Sequence, residues 1–274
     1  RLNLGARIDY EFYTGFQPSG RASLSYDLTD TSMLYAAVSR AFQTPPVGSR
    51  FLYTPFMEGL VYATSDQDIK PETLIAYELG YRATFFDKLQ TNVNLYCHDY
   101  DDLAILKLMP GPPGLVRNNF QNGYPAWMYG VEMDARYDIT KNLTLLGNYT
   151  LQLMEAGGVH DISESDNITP PKHKFMVGAR YKPVERVLLS AHLYYVDDVE
   201  SPNTLLPTQF TRRHIDEYFR LDLRAEYEFW KDTGWIAVGV RNLLDPNHPE
   251  ATTAFHNYAE VPRMVYAEMR MTFK

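Results

Sequence analysis

The amino-acid sequence predicts an all-β fold, an antiparallel transmembrane β-barrel sheet with about twelve strands. Three observations predict it. Apolar and polar residues alternate along one segment after another, tight turns take turns with long connections, and aromatic residues recur on the apolar face shortly before the tight turns.

The strands fall at 1–13, 20–29, 32–42, 72–84, 89–104, 126–139, 142–154, 172–182, 186–198, 217–229, 234–244 and 262–273. The first two alternate from Leu2 to Phe12 and from Ala22 to Leu28. The third stops at Thr44-Pro45-Pro46, because proline cannot donate to a ladder and restricts the residue before it. Lys70-Pro71-Glu72 restarts the chain as the fourth strand. There Tyr77, Leu79 and Tyr81 point outward, Glu78 and Arg82 point inward, and Gly80 makes room on the inner side. The fifth alternates from Leu89 to Cys97. In the sixth, Val131, Met133, Ala135, Tyr137 and Ile139 oppose Glu132, Asp134, Arg136 and Asp138. In the seventh, Leu143, Leu145, Gly147, Tyr149 and Leu151 oppose Thr144, Asn148, Thr150 and Gln152. Phe175 to Tyr181 and Val187 to Tyr195 continue the pattern. The tenth sets Phe219, Leu221, Leu223, Ala225, Tyr227 and Phe229 against Arg220, Asp222, Arg224, Glu226 and Glu228. The last sets Val265, Ala267, Met269, Met271 and Phe273 against Glu268, Arg270 and Thr272.

Short links lie at Thr29-Asp30-Thr31, Phe85 to Lys88, Thr140-Lys141, Pro183 to Glu185 and Trp230 to Thr233. Between them run long segments near 43–71, 105–125, 155–171, 199–216 and 245–261, with one brief outer link at 14–19. A soluble sandwich has no reason to sort its loops by side; a barrel with short periplasmic turns and long outer loops does. Tyr26, Tyr81, Tyr137, Tyr181 and Phe229 sit a few residues before a short turn, as an interfacial girdle would.

Composition narrows the choice further. The chain has 274 residues, a mean hydropathy of −0.35 and no apolar run of helical-span length, so helical membrane spans are excluded. Strands that hide a lipid face by alternation tolerate that hydropathy. The net charge of −8 and a pI near 5.4 argue against nucleic acid as a partner. Cys97 stands alone and forms no internal disulfide. No signal peptide is visible and Arg1 already stands in a strand, so the N-terminal part of a longer protein is expected to lie outside this chain. Open sheet edges in hydrocarbon are costly, so the chain either closes as a twelve-stranded barrel or is part of a larger one.

Local phrases favour the second. Ser39-Arg40-Ala41-Phe42-Gln43-Thr44-Pro45, Ile69-Lys70-Pro71-Glu72-Thr73 and Tyr77 to Arg82 resemble the barrel of TonB-dependent outer-membrane receptors. So do Tyr129-Gly130-Val131-Glu132, Val240-Arg241-Asn242-Leu243-Leu244-Asp245 and Pro262-Arg263, in order and at strand ends along nearly the whole chain. The resemblance implies that residues 1–274 are the C-terminal portion of a 22-stranded barrel, with plug domain and signal peptide absent. It also implies an outer-membrane active-transport receptor of a Gram-negative bacterium, binding a scarce solute at its outer loops and importing it with TonB-supplied energy. A ferric siderophore or related metal chelate is the leading solute. Implied partners are outer-membrane lipid and lipopolysaccharide, the TonB complex through the N-terminal region, and the barrel-assembly machinery. A self-contained twelve-stranded passive channel is the alternative.

Candidate ligand contacts lie in two outer loops. Arg50, Phe51, Tyr53 and Phe56 make the 43–71 segment the most aromatic. Arg212, Arg213 and His214 form a basic patch suited to a carboxylate or phosphate group. His98-Asp99-Tyr100-Asp101-Asp102 is the densest cluster of metal-ligand types, but strand alternation points its members apart. Asp197-Asp198 reads the same way, and His160, His248 and His256 are scattered. No metal site, no cofactor and no catalytic set is predicted; neither a nucleophile elbow nor a phosphate loop is present, and the chain is not expected to be an enzyme.

Overall fold

Where a turn of two to four residues joins two wall strands, each strand takes the next one as its antiparallel partner. A computed structural model describes residues 1–51, 53–56, 61–111, 116–156, 170–202, 212–245, 247–253 and 256–273. It begins with β1 (Leu2–Glu11), β2 (Gly15–Thr29), β3 (Ser32–Gln43), the single turn α1 (Val47–Arg50), β4 (Tyr53–Phe56) and β5 (Val61–Ser65). Then follow β6 (Glu72–Phe85), β7 (Leu89–Asp101), β8 (Ala104–Pro110), β9 (Val116–Asn122), β10 (Ala126–Thr140) and β11 (Leu143–Ala156). Next are β12 (His173–Tyr181), β13 (Val187–Val196), β14 (Val199–Pro202), β15 (Arg212–Ile215) and β16 (Tyr218–Trp230). β17 (Gly234–Arg241), β18 (Asn247–Thr253), β19 (His256–Pro262) and β20 (Met264–Met271) complete it.

Twelve of these strands form one antiparallel sheet in the order β1-β2-β3-β6-β7-β10-β11-β12-β13-β16-β17-β20. They are the twelve that the alternation predicts, displaced by a few residues at some ends. β2 starts at Gly15 rather than near residue 20, which shortens the first outer link to residues 12–14. There Glu11 accepts hydrogen bonds from the backbone amides of Tyr13 and Thr14 and from the Thr14 hydroxyl. The sheet is open: β1 and β20 are its two edges. Among the described residues no helix is long and apolar enough to cross a membrane.

The two faces differ as predicted. Leu4, Leu24, Val38, Tyr77, Leu95, Met133, Val177, Leu189, Val238 and Val265 all leave large apolar surface exposed on the outer face. A monomer in water rarely shows a contiguous apolar surface of this extent, whereas lipid covers it at no cost. Of the predicted girdle, Tyr26, Tyr137, Tyr181 and Phe229 are exposed on this face.

The inner face is polar and cross-linked. Arg21 of β2 reaches over β3 to Glu78 of β6, Nη2 to Oε2 at 2.6 Å. Arg224 of β16 reaches over β17 to Glu268 of β20 and also binds Glu226, both at 2.8 Å. Tyrosines lie flat across glycines in the adjacent strand. Tyr35 is paired with Gly80, and a Cβ there would meet its ring carbon at 2.0 Å. Tyr96 is paired with Gly130 and its hydroxyl lies 3.4 Å from the Leu151 carbonyl, one strand further. Each such pair fills the notch that glycine leaves and pins the register, since a slip of one residue would put the ring on the other face.

Gly130→Ala would place a methyl group 1.9 Å from the Leu151 carbonyl oxygen, whereas Gly147→Ala would meet nothing nearer than 3.9 Å. The first is expected to destabilise the folded sheet by about 3 kcal/mol and the second to change it by less than about 0.5 kcal/mol. Urea unfolding of the full-length protein in lipid vesicles measures both.

Candidate functional site

Four of the eight remaining strands assemble above the rim of the sheet, where the sequence predicts only loop. β4, β5, β9 and β8 form a second sheet in that order, with β5 and β9 parallel from Val61↔Val116 to Ser65↔Phe120. Two long connections, one between β3 and β6 and one between β7 and β10, thereby become one structure. β8 leaves β7 after only Asp102 and Leu103, with Asp102 at φ 56°.

The junction is held by side chains that pair with backbone. Asn122 Oδ1 accepts from the Lys70 amide at 2.7 Å, and its Nδ2 donates to the carbonyls of Lys70 (3.1 Å) and Asp102 (2.7 Å). Glu72 accepts from the Ala104 amide at 2.7 Å, and the Asp66 amide donates to the Phe120 carbonyl at 2.7 Å. Ile69 is completely buried beneath this junction. Lys70 and Asp102 approach to 3.7 Å, but Lys70 is solvated and the pair adds little.

One face of this outer sheet is polar. The β8–β9 register sets Ile105, Lys107 and Met109 opposite Gln121, Asn119 and Arg117. Arg117 donates from Nη2 to the Met109 sulfur at 3.4 Å, its Nε is buried without a hydrogen-bond partner, and among the described residues it makes no ion pair. Asn119 accepts from the Thr64 hydroxyl at 2.7 Å and donates to Gln121 at 3.3 Å. A half-buried guanidinium without a carboxylate, amid amides whose dipoles reorient, suits an anionic ligand with oxygen acceptors. Alternation in 116–122 is the signal that could have marked Arg117, Asn119 and Gln121 as sharing a face.

The residues singled out in the sequence fall into two separate places. Arg50 is nearly buried, donates from Nη2 to the Ile69 carbonyl at 2.6 Å and lies 5.4 Å from the Tyr13 ring centre. Phe51 meets the same Tyr13 ring edge-on at 5.6 Å. Arg50 and Phe51 thus brace the loop against the link after β1, while Tyr53 projects from β4 at 75% exposure. The Phe56 side chain lies outside the described residues, as do those of Arg212 and Arg213, whose backbones pair with Pro202 and Ser201 in the β14–β15 hairpin. His214 stands in that hairpin between Asp198 (3.7 Å) and Asp216 (3.2 Å).

A third junction closes the far rim. Asn242, at φ 55°, ends β17 and is wholly buried. Its backbone amide donates to Asp222 Oδ1 at 3.1 Å, its Nδ2 donates to the Val261 carbonyl at 3.0 Å, and the same nitrogen lies 3.2 Å from His248 Nδ1. His248 is buried, stacked on Tyr218 with ring centres 4.0 Å apart. It is therefore a packed rim residue; His160 and the His256 side chain lie outside the described residues.

Among the described residues no three His, Cys, Asp or Glu side chains converge as metal ligands. Asp101 is occupied with the Asp102 amide and Asp102 with Lys70, while Asp197 accepts from Tyr195.

The family model described as TonB dependent receptor-like, beta-barrel, matches residues 1–243. No curated protein sequence matches the chain. Among solved structures, the ferric enterobactin receptor of Pseudomonas aeruginosa superposes with a TM-score of 0.78 at 17% identity, over 99% of this chain and 42% of its own. The siderophore receptor PirA from Acinetobacter baumannii gives 0.74 at 17% identity, over 99% of this chain and 43% of its own. The ferric-catecholate import receptor Fiu of E. coli K12 gives 0.68 at 18% identity, over 93% of this chain and 35% of its own. The chain thus spans well under half the length of the structures it resembles.

Asn122→Ala removes three hydrogen bonds at the loop junction and leaves the Lys70 amide without its acceptor. Local opening of residues 61–72 and 102–123 should become easier by about 2–3 kcal/mol, read as faster amide exchange there with the twelve-stranded sheet unchanged.

Proposed function

The chain belongs to the TonB-dependent receptor β-barrel family, and we propose that it supplies the C-terminal strands of an outer-membrane receptor that imports a scarce solute. The single observation that carries this reading is the family match, joined to a sheet with an apolar outer face and a polar, ion-paired inner one. The missing wall strands and a plug would precede residue 1, and β1 would pair with the strand before it. That arrangement satisfies both open edges, β1 and β20, which a passive channel made of this chain alone would have to pair with each other.

The solute we propose is a ferric siderophore or a related anionic metal chelate, bound at the outer loops and released inward with energy from the TonB complex. Support comes from the siderophore receptors that share the fold and from the Arg117 face of the outer sheet. Arg117 would pair with the chelate's oxygens, Lys107 would add charge, and Tyr53 would offer an exposed ring. Arg212, Arg213 and His214 remain candidates for a second contact, with the ligand or with lipopolysaccharide phosphate. The protein would reside in the outer membrane of a Gram-negative bacterium, inserted there by the barrel-assembly machinery.

Deleting the full-length gene should abolish uptake of one radiolabelled ferric chelate by iron-starved cells, and a plasmid copy should restore it. Uptake unchanged across a panel of catecholate, hydroxamate and carboxylate chelates would overturn the reading. Arg117→Ala should weaken chelate binding by about 10- to 100-fold, the loss of one charge-assisted hydrogen bond, in equilibrium titration of the purified receptor.

A further inference from the structure

Just below the outer rim, one rung of the inner wall carries His98 of β7, Met128 of β10 and Met154 of β11. The register pairs His98 with Met128 and Met128 with Met154. Paired residues share a face and neighbouring strands lie about 4.8 Å apart, so the three side chains leave the wall side by side. That face is the inner one. Gln152, two residues before Met154, donates from Nε2 to the Met128 sulfur at 3.3 Å. His98 lies between Tyr96 and Tyr100, with ring centres at 4.9 and 6.2 Å, and Tyr96 is the ring that covers Gly130. On the other side of His98 the rung runs through Ala76 to Ser39.

His98 Nδ1 is buried and, among the described residues, has no hydrogen-bond partner. Leaving such an atom unpaired costs about 1–3 kcal/mol, and a bound ion is one of the few things that accounts for it. Toward β10 and β11 the rung continues with two thioethers, Met128 and then Met154. Methionine has three rotatable bonds and a polarizable sulfur, and the bond from Gln152 occupies only one side of the Met128 sulfur.

We propose that His98, Met128 and Met154 form a binding site for a soft monovalent cation, Cu(I). The ligand set selects it. One imidazole and two thioethers suit Cu(I), whereas calcium and magnesium need several oxygen ligands, which these three side chains do not offer. All three ligands are neutral, so the bound ion keeps its single positive charge, which the nearby carboxylates Glu78 and Glu132 favour. No electron transfer and no proton release accompany binding when His98 is neutral. The site lies beneath the outer sheet, at the place a solute would pass after leaving the loops, and it does not depend on which chelate the loops take.

The test uses the full-length protein purified from outer membranes in detergent, titrated anaerobically with Cu(I) buffered by a chromophoric chelator, with Ag(I) as a redox-inert parallel. Met128→Leu and Met154→Leu should each weaken binding at least tenfold, and the double variant should bind one equivalent fewer than the parent. X-ray absorption of the parent at one equivalent should show sulfur and nitrogen scatterers. Heat-modifiable migration on gels reports that each variant is folded, and Met154→Leu alone serves if the double variant does not insert. Equal stoichiometry and affinity in parent and folded variants would overturn the proposal, as would a parent that binds neither ion. Ferric-chelate uptake by the same variants should be unchanged, which separates this site from the role proposed for the loops.

Discussion

Every backbone amide and carbonyl in a hydrocarbon layer must find its partner inside the protein, and the whole of this chain is arranged around that requirement. It forces the wall strands into one continuous ladder, and the ladder in turn fixes what each side chain can be. With a period of two, alternate residues face lipid and interior. The outer residues are then mainly apolar, with Tyr at the girdle, and the inner ones are free to carry Arg21, Glu78, Arg224 and Glu268. Tyr35 over Gly80 and Tyr96 over Gly130 are consequences at the next level. Strands joined only by ladder bonds could slide by two residues without losing hydrogen bonds, and these interlocks oppose that slip.

Above the rim the requirement relaxes, because water is available, and the chain spends its side chains differently. Asn122, Glu72 and Asn242 pair with backbone groups to hold connections that no long ladder supports. Arg50 does the same for the Ile69 carbonyl while its guanidinium lies near the Tyr13 ring. Rigid junctions of this kind can present a cation such as Arg117, which among the described residues makes no ion pair, without letting it collapse onto a carboxylate.

The wall was legible in the sequence because its signals are local: alternation within ten residues and turns of two to four. Even the turn at Phe86-Asp87, where both residues take positive φ, sits where the pattern breaks. The outer sheet was not legible because its central pairing, β5 beside β9, joins residues more than fifty positions apart in parallel, and no turn residue announces such a contact. The same limit explains the uneven reading of the site. Arg50 stood out as a loop cation, yet whether it meets a ligand or braces the loop depends on Ile69 and Tyr13, which are distant in sequence. Asn242 was visible only as part of a recurring phrase; its burial against His248 and Val261 is a tertiary fact.

The β5–β9 pairing also bears on how such a surface can change over generations. If the loops face the exterior, as the proposed function has it, exposed segments gain from being replaceable one at a time. Here the two connections share a ladder, so a foreign segment spliced in for either one would strip the other of its partner. Variation in this pair of loops should therefore travel as a linked block, with recombination breakpoints falling outside residues 43–125 rather than between them.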